Sequence, residues 1–190
     1  MLITELDHRV KNILGRVAVV AMQTREGSSS MSQFVKTLDG RIQSLATAHS
    51  LRSQTGWNGV GLTDLVRDQL VPYLREANVN ISGPNVMLNA AATQAIAMTL
   101  HELATNAAKY GALSTPGGRV LVSWERVVGN GTAAKLILKW RETGGAIVGA
   151  PPRSGFGTNL IRDLIPHELS GTVDLVFRPD GVCCSLEVSL

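Results

Sequence analysis

The chain has 190 residues, of which 44% are apolar, 4% aromatic and 17% charged, and its formal net charge is +3. Enough Leu, Ile, Val and Ala are present to build a core, which excludes intrinsic disorder. No run approaches the roughly 18 uninterrupted apolar residues of a membrane span, and the opening MLITELDHRV lacks the apolar block of a signal peptide, so a soluble, cytoplasmic protein without direct membrane insertion is expected.

The positive charge is spread along the chain rather than clustered with aromatics, so no nucleic-acid partner is expected. Residues 4–25 place Leu6, Val10, Ile13, Val17 and Val20 at alternating spacings of four and three. Residues 32–53 repeat the rhythm with Val35, Leu38, Ile42 and Leu45. Such spacing is the seam of a helical bundle or coiled coil. The Gly/Ser-rich stretch from Glu26 to Met31 reads as the turn between them. Two such helices cannot bury their stripes alone, which predicts a hairpin that pairs with a second copy into a four-helix bundle. His49 continues the second seam and reads as a packing residue.

Gln54 to Gly61, with Trp57, reads as a connection. A helix is predicted near 62–76, strands near 78–82 and 86–88, and a long helix near 90–112. Strands follow near 118–128 and 133–141, joined by a hairpin turn at Gly129-Asn130-Gly131. A Gly/Pro-rich loop runs from Thr143 to Ser154, and a short helix opens near Gly157. A last hairpin, 171–178 and 182–189, turns at Pro179-Asp180-Gly181. Cys183 and Cys184 are neighbours in that strand pattern and point to opposite faces, so neither a mutual disulfide nor a zinc site is expected. The class is α+β: a helical hairpin over 1–55, then a two-layer α/β sandwich over 56–190.

Three segments carry chemistry. On the first helix, His8 points about 160–200° from the apolar seam, with Glu5 and Asn12 flanking it on the same face. An exposed imidazole beside a carboxylate can accept a phosphoryl group, the carboxylate holding the tautomer that frees the other ring nitrogen. On the long helix, Glu102, Asn106 and Lys109 fall within about 60° of one another, opposite Ile96, Leu100, Leu103 and Ala107. Asn106 offers the hard oxygen that Mg²⁺ takes, and Lys109 can neutralise phosphate charge. Downstream, Glu142 closes a strand, where a carboxylate can accept a hydrogen bond from an adenine amino group. Gly144 and Gly145 let a backbone approach a ligand. The Gly155-Phe156-Gly157-Thr158 turn runs into a helix and presents free N–H groups to phosphate. The loop between is a candidate lid.

In order, these segments resemble the HWE family of bacterial sensor histidine kinases over nearly the whole chain. The matching stretches are Glu5-Leu-Asp-His-Arg-Val-Lys-Asn12, Gln23-Thr24, the Trp57 region, HELATNAAKYGALS from His101 to Ser114, Trp140-Arg141-Glu142, and GFGTNLI after the lid. The family takes its name from a His in the nucleotide-binding box, here His101, and from a Trp-x-Glu motif, here Trp140 to Glu142. The resemblance implies a dimerisation and histidine-phosphotransfer hairpin followed by an ATPase domain of the gyrase and Hsp90 type. It implies ATP and Mg²⁺ as cofactors, His8 as phosphoacceptor, Asn106 as metal ligand and Glu142 near adenine. His101, Lys109 and Tyr110 fall within the implied ATP site, with Trp140 and the glycine-bearing segments. Glu142 stands where related kinases usually carry Asp, and Ala146 where the family usually has Pro. Arg9 follows the acceptor where other histidine kinases have an acid, which leaves Glu5, Asp7 and Glu102 as candidates for the activating base.

The expected function is autophosphorylation of His8 from Mg-ATP, then donation to an aspartate of a response-regulator receiver domain. A non-catalytic phosphotransfer protein of the same architecture is the alternative, but it would not need Asn106, Lys109 or the glycine-rich lid. The hairpin begins only a few residues before His8, so an upstream sensor domain is expected to lie outside this chain.

Overall fold

The computed structural model describes residues 17–18, 20–22, 24–25, 28, 30–35, 37–42, 59–73, 78–128, 134–145 and 156–190. They belong to two compact units, Met1–Gln43 and Ser44–Leu190.

In the first unit, the described residues of 17–25 and of 31–42 are helical, as the four-three spacing requires. The second helix starts at Met31, one residue earlier than expected, where the Ser30 hydroxyl accepts the Gln33 N–H at 3.2 Å as a cap. Val20 on the seam is buried, whereas Val35 and Ile42 are 56% and 37% exposed. Buried Arg41 donates from Nη1 to the Thr24 hydroxyl at 2.7 Å, tying the two helical stretches together. His8, His49 and the other ends of the expected hairpin lie outside the described residues.

The second unit runs β1 (Val60–Gly61), α1 (Leu62–Leu70), a 3-10 turn at Val71–Tyr73, β2 (Asn78–Ser82), β3 (Met87–Leu88) and α2 (Ala90–Tyr110). A second 3-10 turn at Ala112–Ser114 leads to β4 (Arg119–Val127) and β5 (Lys135–Thr143), then α3 (Phe156–Leu169), β6 (Thr172–Arg178) and β7 (Gly181–Ser189). The five-stranded sheet has the order β2-β4-β5-β7-β6, with β2 parallel to β4 and the other pairs antiparallel.

Strand alternation assigns the two faces. Val120, Val122 and Trp124 of β4, Leu136, Leu138 and Trp140 of β5, and Cys184, Leu186 and Val188 of β7 are buried in one core with Leu65, Ile96, Leu100, Leu103, Ile161 and Ile165 of the helices. On the opposite face Lys139 pairs with Glu125 at 2.9 Å and Lys135 with Glu187 at 2.6 Å, all well exposed. Within this unit the described helices thus cover one side of the sheet, which makes the two-layer α/β sandwich expected from the element order. The two cysteines alternate as expected, Cys184 inward and Cys183 half-buried.

Three boundaries differ from expectation. The first helix of this unit ends at Leu70 rather than near 76, because Pro72 cannot supply the N–H that would continue it. Val60–Gly61 is a strand rather than part of the connection, and it pairs antiparallel with β3 in a separate two-stranded sheet. The helix opening at Phe156 is 14 residues long rather than short, and it carries Pro166 within its last turn. The hairpin turn at 129–131 and lid residues 146–155 lie outside the described residues.

Candidate functional site

Helix α2 forms because Asn89 caps it, accepting the Ala92 N–H at 2.9 Å, and because its interior is rich in Ala. Ile96, Leu100, Leu103 and Ala107 are buried, as the 3.6-residue period requires. The polar face is graded rather than uniformly solvated: Glu102 is buried, Asn106 half-buried, and Lys109 and Tyr110 exposed. The gradient arises from α3, whose first turn covers the middle of that face. A methyl group added to Gly157 would stand 2.7 Å from Glu102 Oε2, 3.6 Å from Asn106 Nδ2 and 3.8 Å from Asn106 Oδ1. The missing side chain at 157 therefore brings a carboxylate and an amide, one helical turn apart, against the N-terminal turn of α3. The free N–H groups of such a turn favour anions.

This donor set fits Mg²⁺. Glu102 and Asn106 offer hard oxygens one helical turn apart beside the N-terminal turn of α3, the kind of donor that such an ion takes.

A second cluster lies at the C-terminal end of α2. Trp140 and Glu142 are two residues apart on β5 and so share its inward face. They are 1% and 2% exposed. Glu142 Oε1 accepts the indole N–H of Trp140 at 3.0 Å, and Oε2 accepts the backbone N–H of Ala112 at 2.9 Å. Burial pushes the carboxyl pKa up, and the two hydrogen bonds pull it part of the way back. The neighbouring loops interlock. Thr115 Oγ1 donates to the Gly144 carbonyl at 3.0 Å, and a methyl group at Gly145 would meet Ala112 N at 2.9 Å.

The structure thus gathers Glu102, Asn106 and Gly157 in one place, and Trp140, Glu142, Gly144 and Gly145 in another. His101 is half-buried on α2, and Thr158 half-buried on α3. Glu5, His8, Asn12 and Gly155 lie outside the described residues, as does the side chain of Phe156.

Sequence reasoning missed Gly111, the Ala112 amide and Gly181. A methyl group at Gly111 would overlap Glu142 Oε2, and one at Gly181, whose φ is +145°, would overlap the Glu142 carbonyl oxygen. The sequence carries two signals for them: a glycine directly after α2, and a Pro-Asp-Gly turn whose glycine packs beside the strand as well as closing the hairpin.

Known proteins resemble the chain in sequence and in fold. The family model described as HWE histidine kinase matches residues 5–85. A blue-light-activated histidine kinase of Rhizobium johnstonii is 29% identical over 98% of this chain, and one of Brucella anthropi is 32% identical over 94%. The chain spans 52% of the first relative's length and 36% of the second's. Among solved structures, the histidine kinase domain of a blue-light activated histidine kinase from Erythrobacter litoralis covers 93% of the chain, with 94% of that domain aligned, a TM-score of 0.59 and 16% identity. That likeness bears on the fold.

Proposed function

The chain belongs to the HWE histidine kinase family, and we propose that it is a kinase core that phosphorylates its own His8 from Mg-ATP and passes the phosphoryl group to a response-regulator aspartate. The observation that carries this reading is the meeting of the Glu102 and Asn106 side chains with the N-terminal turn of α3 at Gly157. It combines hard oxygen donors with the free N–H groups that bind phosphate. A phosphotransfer protein without nucleotide chemistry would need neither.

In this reading Asn106 holds the metal and Glu142 lies beside adenine. Mg²⁺, when bound, would supply charge neutralisation at the phosphates. Lys109, on the exposed end of the same helical face, adds positive charge near the phosphates. One imidazole nitrogen of His8 then attacks the γ-phosphorus. The N–P bond forms, the bond to the β,γ-bridging oxygen breaks, and ADP leaves with the electron pair. The ring proton passes to Glu5, Asp7 or Glu102. In the second step the regulator carboxylate attacks phosphorus and the N–P bond breaks. The apolar seam residues Val35 and Ile42, exposed in the single chain, support pairing with a second copy.

Incubation with γ-labelled ATP and Mg²⁺ tests the proposal. The expected result is an acid-labile phosphoprotein whose label maps to His8 and disappears in both His8→Ala and Asn106→Ala. Label retained in His8→Ala would falsify the assignment of the acceptor. Failure of the wild type to bind nucleotide would favour the non-catalytic alternative.

A further inference from the structure

Trp140 lies in the site without facing it. At 1% exposure, its ring is packed in the core between sheet and helices, so it has no free face on which a nucleotide base could stack. Its one polar group, the indole N–H, is spent on Glu142 Oε1 at 3.0 Å. The other carboxylate oxygen is held by the Ala112 N–H at 2.9 Å. Two donors from different elements, a strand side chain and the turn after α2, thus fix both oxygens of one carboxylate. About four acceptor positions exist on a carboxylate, so each oxygen keeps one beyond the bond it already makes.

We propose that Trp140 is a positioning residue for base recognition, acting through Glu142: its indole N–H and the Ala112 amide set the orientation in which the carboxylate accepts a hydrogen bond from a 6-aminopurine. The proposal rests on the reading of this site as a nucleotide site. Glutamine cannot substitute for Glu142, because an amide has one acceptor oxygen and would turn its NH₂ group toward one of the two donors. Gly111 belongs to the same device. Its backbone is extended, at φ −116° and ψ −151°, a conformation open to any residue. A methyl group there would overlap Glu142 Oε2 and approach Ala107 Cα at 2.9 Å. Glycine is therefore required for the carboxylate rather than for the turn.

The test is equilibrium binding of ATP and GTP to the whole chain and to Trp140→Phe, Glu142→Gln, the double variant and Gly111→Ala. Guanine carries an acceptor where adenine carries its amino group, so the oriented carboxylate favours ATP. Loss of one charge-assisted hydrogen bond is expected to lower the ATP-to-GTP preference of Trp140→Phe about 10-fold. Added to Glu142→Gln, the same substitution should lower it less than about twofold further, the signature of two residues acting as one unit. A purely structural tryptophan would weaken both nucleotides alike or act additively with Glu142→Gln, and either result overturns the proposal. Should Trp140→Phe not fold, Gly111→Ala retains indole and carboxylate while displacing the latter. The expected result is again about a 10-fold loss of preference, and an unchanged preference overturns the proposal. A wild type that binds neither nucleotide would instead refute the nucleotide reading itself.

Discussion

The ionisable groups at the sheet core behave according to what surrounds them. Burial raises the pKa of Glu142 above its ordinary 4.5 despite two hydrogen bonds. The native chain therefore holds this proton more tightly than the unfolded chain does. The resulting stabilisation is complete below pH 4.5 and is lost as the pH rises through the folded-state value. Denaturant midpoints measured from pH 4.5 to 8 should fall with rising pH more steeply for the wild type than for Glu142→Gln, which has no such proton. A steeper slope in the variant would contradict the assignment. Cys184 is a second case. Burial, the negative charge of Asp174 and the adjacent Cys183 push its thiol up to about 12. Since the thiolate is the nucleophile, native protein at pH 8 should react with a thiol reagent at the half-buried Cys183 far faster than at Cys184. Peptide mapping of the labelled chain would check this, and Cys184 should label readily only after unfolding.

At the scale of elements, α2 is the piece on which both clusters hang. Its buried side packs in the core, its middle presents Glu102 and Asn106 to α3, and its C-terminal end is held by Glu142 through Ala112. Its N-terminus depends on the Asn89 cap, which accepts the Ala92 N–H at 2.9 Å. Asn89→Ala should cost about 0.5–2 kcal/mol of stability, seen as a lower midpoint in urea with an unchanged slope. Because the cap is remote from Gly157, nucleotide affinity in that variant should stay within about twofold of the wild type once the protein is folded. The 3.6-residue period placed α2 correctly, since an Ala-rich amphipathic helix of 21 residues has few alternatives. The same period could not show that Glu102 is buried, because that depends on α3, which is about 50 residues away in sequence and close in space.

For the whole molecule, ligand binding and phosphoryl transfer can be separated. If Mg-ATP binds the native chain alone, ligand at a hundred times its Kd should add about 2.7 kcal/mol of stability. For a chain of this size that corresponds to a rise in Tm of about 5–10 °C. In thermal melts His8→Ala should keep the rise, because in the proposed reaction His8 would receive phosphate rather than hold nucleotide. Asn106→Ala should lose most of the part that depends on Mg²⁺. No rise in the wild type would count against the ATP reading. None of the described helices is long and apolar enough to cross a membrane.

What the sequence determined by itself was everything governed by local periodicity and by short motifs. That includes the long α2 helix, the β4–β5 and β6–β7 strand pairs, and the inward and outward alternation of Cys184 and Cys183. These are legible because side-chain direction repeats every 3.6 or 2 residues, and residue chemistry alone singled out Glu102, Asn106 and Glu142 as candidates. Tertiary structure decided the rest. It alone brought Gly157 against Glu102 and Asn106, put Gly111 and Gly181 within contact of Glu142, paired β1 with β3, and turned Trp140 from a candidate ligand contact into the partner of a carboxylate. Each of these is a contact between segments separated in sequence, and periodicity within one element says which face a residue occupies but not which partner arrives there.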